Sequence, residues 1–223
     1  MTFGVVVFPG SNCDRDAIYA VSGFLGQKVL SIWHQDTTLP RVDAVILPGG
    51  FSYGDYLRPG AIASRSPVMK AVKSYADKGG WVIGICNGFQ VLVESALLPG
   101  ILLRNKSTRF ISTMQSLLIQ NNQTPFTRNF SIGQSIKLPI AHKDGNYFAD
   151  PILVEKLKKN KQIVVTYSEN PNGSLEDIAG ICNEQGNVFG MMPHPERACA
   201  DWLGSSDGLG FFQSMLKTWE EQS

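Results

Sequence analysis

Two kinds of hydrophobic pattern divide the chain. In the first half, short unbroken apolar runs alternate with stretches whose apolar residues recur every three or four positions. Residues 3–8 form such a run, closed by Pro9-Gly10. Residues 43–47 form another, ended by Pro48-Gly49-Gly50, and residues 81–85 a third. Residues 28–33 read as one more strand. Ile18, Val21, Phe24 and Leu25 mark one face of a helix over 14–25, with Ser11 or Asn12 placed to cap it. Further helices are predicted over 67–78 and 87–95. Strands that are apolar throughout, alternating with helices, predict a mostly parallel sheet with helices on both faces.

The second half differs. Residues 112–120 and 133–142 alternate apolar with polar positions, as antiparallel strands with one wet face do. Residues 151–160 read as a short helix and 162–167 as a strand. Residues 178–183 and 187–192, joined by Glu184-Gln185-Gly186, read as a hairpin, and 207–221 as a closing amphipathic helix. No repeat, low-complexity tract or linker separates the halves. The pattern predicts one domain over 1–223, an α/β fold with an antiparallel extension.

Composition narrows the function classes. A net charge of +1 gives no field that gathers phosphates, which argues against nucleic acid as a partner. No apolar run approaches the ~20 residues of a membrane span, and the first eight residues lack the basic stretch of a secretion signal. The expectation is a cytoplasmic protein that does not engage a membrane. Four cysteines without a CxxC pair predict reduced thiols and no metal cluster. No GxGxxG and no Gly-Lys-Ser/Thr appears, so a nucleotide site in this chain is not expected.

The strongest local signal is Gly84-Ile85-Cys86-Asn87-Gly88, between an apolar strand and a predicted helix. It has the form of a nucleophile elbow with cysteine in place of serine. The flanking glycines permit a sharp turn, and the helix N-terminus behind it favours a thiolate. The Asn87 N–H is then a natural oxyanion donor. His194-Pro195-Glu196 supplies a base and a carboxylate to orient it, because proline holds the preceding residue extended. Gly50, at the end of another strand, offers a second oxyanion donor. Taken alone, Cys86 also fits a small buried hydrophobe, and His194-Pro195-Glu196 a surface turn. His142-Lys143-Asp144-Gly145 reads as a ligand contact or a hairpin tip. His34 reads as structural or solvated, and Cys13, Cys182 and Cys199 as structural or merely exposed.

Together, Pro48-Gly49-Gly50, residues 84–90 and His194-Pro195-Glu196 resemble the class I (triad) glutamine amidotransferases. Residues 8–16, 48–58, 170–174 and 190–197 narrow the resemblance to the glutaminase subunits of phosphoribosylformylglycinamidine synthases. The resemblance spans nearly the whole chain. It implies a flavodoxin-like class I amidotransferase fold and hydrolysis of L-glutamine through a Cys86 thioester, with His194 and Glu196 completing the triad. It implies Gly50 and Asn87 at the oxyanion, and Gln90, Phe51 and His142 near the bound glutamine. Lys143 departs from the glycine common in the family. The resemblance further implies that the partner is a synthetase subunit, with ATP and magnesium on that partner rather than on this chain, and a small third bridging subunit. Two other readings of the scaffold are a cysteine hydrolase of peptidase or deglycase type and a regulatory subunit without activity.

Overall fold

The computed structural model describes residues 1–222. In chain order the strands are β1 (Thr2–Val7), β2 (Lys28–Trp33), β3 (Ala44–Leu47), β4 (Trp81–Ile85), β5 (Ile101–Leu103), β6 (Ile111–Ile119), β7 (Ser135–His142), β8 (Asn146–Phe148), β9 (Ile163–Tyr167), β10 (Ile178–Cys182) and β11 (Val188–Met191). The helices are α1 (Asp14–Tyr19), α2 (Pro67–Asp77), α3 (Asn87–Glu94), α4 (Pro151–Lys159) and α5 (Leu209–Gln222). Nine strands form one sheet in the order β2-β1-β3-β4-β11-β10-β9-β6-β7. From β2 to β11 every pairing is parallel; from β11 to β7 every pairing is antiparallel. β11 is therefore the seam, joined in parallel to β4 and closing the expected hairpin with β10.

Burial follows the two patterns. All four residues of β3 are buried, as a central parallel strand requires, whereas β7 alternates exposed and buried positions along its first four residues. Helices lie on both faces. Phe189 of β11 stacks on Phe211 of α5 with ring centroids 6.1 Å apart. The next residue, Gly190, points the other way, where a Cβ would run into Phe89 of α3. A bulky residue at 190 would push α3 off the sheet.

Four local readings change. α1 ends at Tyr19 and the chain continues as a π-helical turn, Ala20–Phe24. Both conformations put apolar residues three or four apart on one face, so the pattern reads as one helix. Ser11 does not cap α1: its hydroxyl donates to Phe8 O at 2.9 Å and closes the turn after β1, and the capping position is Cys13, without a side-chain cap bond. The two-stranded sheet of β5 and β8 was not foreseen; three residues per strand are too few to show alternation. All four cysteines are free and buried, so none is merely exposed. Among the described residues, no helix is long and apolar enough to cross a membrane.

Candidate active site

Cys86 occupies the turn between β4 and α3 with φ +50° and ψ −105°, a conformation that costs a non-glycine residue about 1–3 kcal/mol. Its surroundings enforce it. The Cys86 N–H donates to Met191 O (2.7 Å), and the Cys86 carbonyl accepts from Phe89 N (3.0 Å) and Gln90 N (3.2 Å). A Cβ on Gly84 would stand 2.5 Å from Leu92 Cδ1 and 2.6 Å from Gly88 O, and one on Gly88 would strike the Leu47 carbonyl. Both glycines of the motif are thus fixed by packing of α3 against β3 and β4. Asn87 opens α3, so its N–H lies in the first turn, where helical partners are lacking. The Cys86 thiol is directed at Ala141 O, 3.7 Å away on β7.

His194 follows β11. Its backbone N–H donates to Pro139 O at 2.9 Å, and its Nδ1 meets Glu196 Oε1 at 2.6 Å. Both residues are buried, at 1% and 3% exposure. An ionised carboxylate only accepts, so Nδ1 carries a proton and Nε2 is the position that gains or gives one up. Nε2 is buried and has no hydrogen-bond partner. Burial acts to lower the His194 pKa. The Glu196 carboxylate, with Cys86 and Cys13, outweighs burial and holds it well above the ordinary value. The ring is thereby equipped to accept and keep a proton.

Gly49 explains how the groups come so close. A Cβ there would lie 2.8 Å from His194 Cε1, 3.1 Å from Cys13 Sγ and 3.3 Å from Cys86 Cβ. Gly50 adopts φ +127°, and a Cβ on it would be 2.6 Å from Asn12 N. Phe51, half exposed, sits tilted against Phe110 with centroids 6.4 Å apart. Beside them opens a cavity of about 220 Å³ lined by Cys13, Phe51, Phe110, Ala141, His194 and Arg197. A larger hollow, about 590 Å³ around Leu30, Asp36 and Pro40, touches none of this chemistry.

Cys13, His194 and Glu196 also bring metal-type ligand atoms within 4.8 Å of one another. The 2.6 Å contact between His194 Nδ1 and Glu196 Oε1 is shorter than the ~3.3 Å separating two ligands of a tetrahedral ion with bonds of about 2.0–2.2 Å. Those two atoms are therefore arranged to share a proton.

Residues 2–208 match the family model described as a CobB/CobQ-like glutamine amidotransferase domain. A chain of the PurLQS structure from Thermotoga maritima is 46% identical, with 98% of each chain covered and a TM-score of 0.90. The chain belongs to the CobB/CobQ-like glutamine amidotransferase family. Two more distant structures share its fold. One is a glutamine amidotransferase from Thermotoga maritima, 14% identical, covering 100% of this chain and 83% of that one, TM-score 0.60. The other is the glutaminase domain of Trypanosoma brucei CTPS with bound acivicin, also 14% identical, covering 97% and 94%, TM-score 0.62.

Around the amidotransferase elbow, the remaining expected residues divide by what they touch. Gln90 is committed on both ends: its Oε1 accepts from Asn87 Nδ2 (2.8 Å) and its Nε2 donates to Asp144 O (2.6 Å). Asn87 also donates to Asp55 Oδ1 (3.2 Å) and accepts from Ser52 N (3.1 Å), tying the loop after Phe51 to the elbow. Burial, then the Asp144 charge, pushes the Asp55 carboxyl up to about 6. His142 does not show a free contact edge at Nδ1. Asn105 Nδ2 donates to Arg109 O and His142 O, both at 2.9 Å, which leaves Asn105 Oδ1 as the acceptor facing His142 Nδ1 at 3.1 Å. His142 is thus the Nδ1–H tautomer, and burial first, then His194, lowers its pKa to about 4. His34 bonds the Tyr53 hydroxyl through Nδ1 and is structural. The sequence pattern assigns no role to Asn105, Phe110, Ala141 or Arg197 and reads Cys13 as structural or merely exposed, whereas all five stand at the site.

Proposed function

We propose that this chain is the glutaminase subunit of phosphoribosylformylglycinamidine synthase. The observation that carries it is the Cys86 elbow beside a buried His194–Glu196 pair bonded at 2.6 Å. Cys86 attacks the side-chain carboxamide carbon of glutamine, and its proton passes to His194 Nε2. The N–H groups of Gly50 and Asn87 receive the oxyanion. His194 then protonates the leaving nitrogen, so ammonia departs and a Cys86 thioester remains. Water attacks the thioester with His194 as base, releasing glutamate and restoring the thiol. Glu196 holds the tautomer and stabilises the imidazolium. Gln90, Phe51 and His142 flank the glutamine.

Ammonia released into water near neutral pH is mostly protonated and no longer a nucleophile, so a direct hand-over is required. The acceptor is a synthetase subunit that binds ATP, magnesium and formylglycinamide ribonucleotide and forms the amidine. Similarity to the PurLQS chain over 98% of the length supports this assembly, with a small third subunit bridging it. Four free thiols suit a reducing cytoplasm.

Glutamate release is measured from the purified chain alone and with the synthetase, its ribotide and ATP. The expected result is strong stimulation by the full mixture, absent in Cys86→Ala, while ammonia-dependent synthesis survives in that variant. Unstimulated hydrolysis of other amides would indicate an independent cysteine hydrolase instead. No turnover in any mixture would indicate a regulatory subunit.

A further inference from the structure

Two thiols stand at His194. Cys13 is 2% exposed at the end of β1, its N–H bonded to Gly49 O at 3.3 Å. Its sulfur accepts a hydrogen bond from Arg197 Nη2 (3.1 Å), and Arg197 Nε donates to Asp16 Oδ2 (2.9 Å). The same sulfur lies within 4.8 Å of a His194 ring nitrogen and a Glu196 carboxylate oxygen. The place a Gly49 Cβ would take is 3.1 Å from that sulfur and 2.8 Å from His194 Cε1. The ring edge is therefore enclosed by the Gly49 backbone and the Cys13 sulfur. The bond from Nδ1 to Glu196 is one pivot, and Nε2 is buried without a partner. One hydrogen bond leaves a ring free to rock about it; a second contact fixes its plane.

We infer that Cys13 is a positioning residue for the glutaminase reaction, its Arg197-bound sulfur holding the His194 ring in the plane from which Nε2 serves Cys86. This rests on the assignment of His194 as the base. Cys13 does not compete as a nucleophile. Burial raises its pKa above the ordinary thiol value even though His194 and Arg197 pull it down, and its sulfur is already engaged by Arg197. The groups acting on His194 are Glu196, Cys86 and Cys13, with Arg197 behind the Cys13 sulfur and neutral His142 beyond. Asp16 balances the Arg197 charge, so Glu196 dominates the ring, and the Cys13 sulfur adds an acceptor for the protonated form.

The test uses full-length Cys13→Ala and Cys13→Ser with the synthetase, its ribotide and ATP. Steady-state kinetics are measured against glutamine across pH, and the His194 imidazole is titrated by NMR in the chain alone. For Cys13→Ala, kcat falls about tenfold, KM stays within about twofold, and the His194 titration midpoint moves down. Cys13→Ser changes both in the same direction by less, and it decides the matter if Cys13→Ala does not fold. Wild-type kcat with an unmoved titration overturns the inference. So does a fall in kcat matched by lost thermal stability with the titration unmoved, which marks Cys13 as filler. If the wild-type chain itself shows no Cys86-dependent glutamate release, the proposed function fails, while the NMR titration still decides the Cys13 contact.

Discussion

The parallel and antiparallel parts of the sheet contribute to the site in different ways. Cys13, Gly49-Gly50, Cys86 and His194 follow the C-terminal ends of β1, β3, β4 and β11, all in the parallel part. Parallel strands bring every C-terminal end to one edge, so side chains from distant segments meet there. The antiparallel part alternates its ends and cannot gather side chains this way. What it offers the reacting groups is backbone: Pro139 O receives the His194 N–H and Ala141 O receives the Cys86 thiol. One part supplies reacting groups, and the other holds them by carbonyls that any residue carries. Substitutions should therefore affect catalysis steeply in the first part and stability or nothing in the second.

The largest effect belongs to His194→Ala, which should lower kcat by ~10²–10⁴-fold in the stimulated glutaminase assay, the usual scale for losing a general acid/base. Circular dichroism should show the fold retained. Turnover near that of the wild type would remove His194 from the mechanism and with it the contrast between the two parts.

The same contrast explains what was legible in the sequence. The Cys86 elbow spans five residues, and His194-Pro195-Glu196 three, so their geometry is written locally. Gly84 and Gly88 mark the motif in the sequence, though packing against Leu47 and Leu92 fixes them while Cys86 itself makes the turn. Cys13 could not be placed because its neighbour Arg197 lies 184 residues away. Their meeting depends on β1 and β11 standing in one parallel array, which no spacing reveals. Asn105 and Phe110 come from the irregular stretch between β5 and β6, where neither period applies. The alternation of β7 was readable, but the roles of its carbonyls were not, since a backbone acceptor has no sequence signature.

Asn105→Ala comes next in size. The side chain makes four hydrogen bonds, two as donor to Arg109 O and His142 O and two as acceptor, from Gly145 N at 3.2 Å and at His142 Nδ1. Removing it strands buried partners, each costing about 1–3 kcal/mol where water cannot replace it. A net loss of about 2–4 kcal/mol is expected in urea unfolding, with kcat reduced only a few-fold. A hundredfold fall in kcat with unchanged stability would place Asn105 among the reacting groups.

A smaller effect follows from His142. Its pKa is about 4 in the folded chain against 6.5 as the ordinary value, so below pH 6.5 the unfolded chain takes up a proton that the native one refuses. Stability therefore falls as pH drops through this window, by about 2 kcal/mol between pH 6.5 and 5 at ~1.4 kcal/mol per pH unit. Asp55, raised to about 6, works the other way, since the native state binds its proton first. The measurement is thus the difference between wild type and His142→Asn in urea unfolding at pH 7, 6 and 5. The gap should close as pH falls. A gap that does not vary with pH would mean that His142 has the same pKa in the native and the unfolded chain.

Pro139→Ala should do least, and for a reason that sharpens the comparison most. β7 is the last strand of the sheet, paired only with β6, and Pro139 stands opposite Met114. The Pro139 carbonyl points away from β6, toward the His194 N–H, so its nitrogen faces the same way and takes no part in the ladder. Alanine keeps the carbonyl that matters. Glutaminase turnover should stay within about twofold and stability within about 0.5 kcal/mol, as for substitutions that break no buried interaction. A tenfold loss of kcat would instead mean that the ring stiffness of Pro139 aims the carbonyl at His194, and the antiparallel part would then hold the triad through a side chain as well as through backbone.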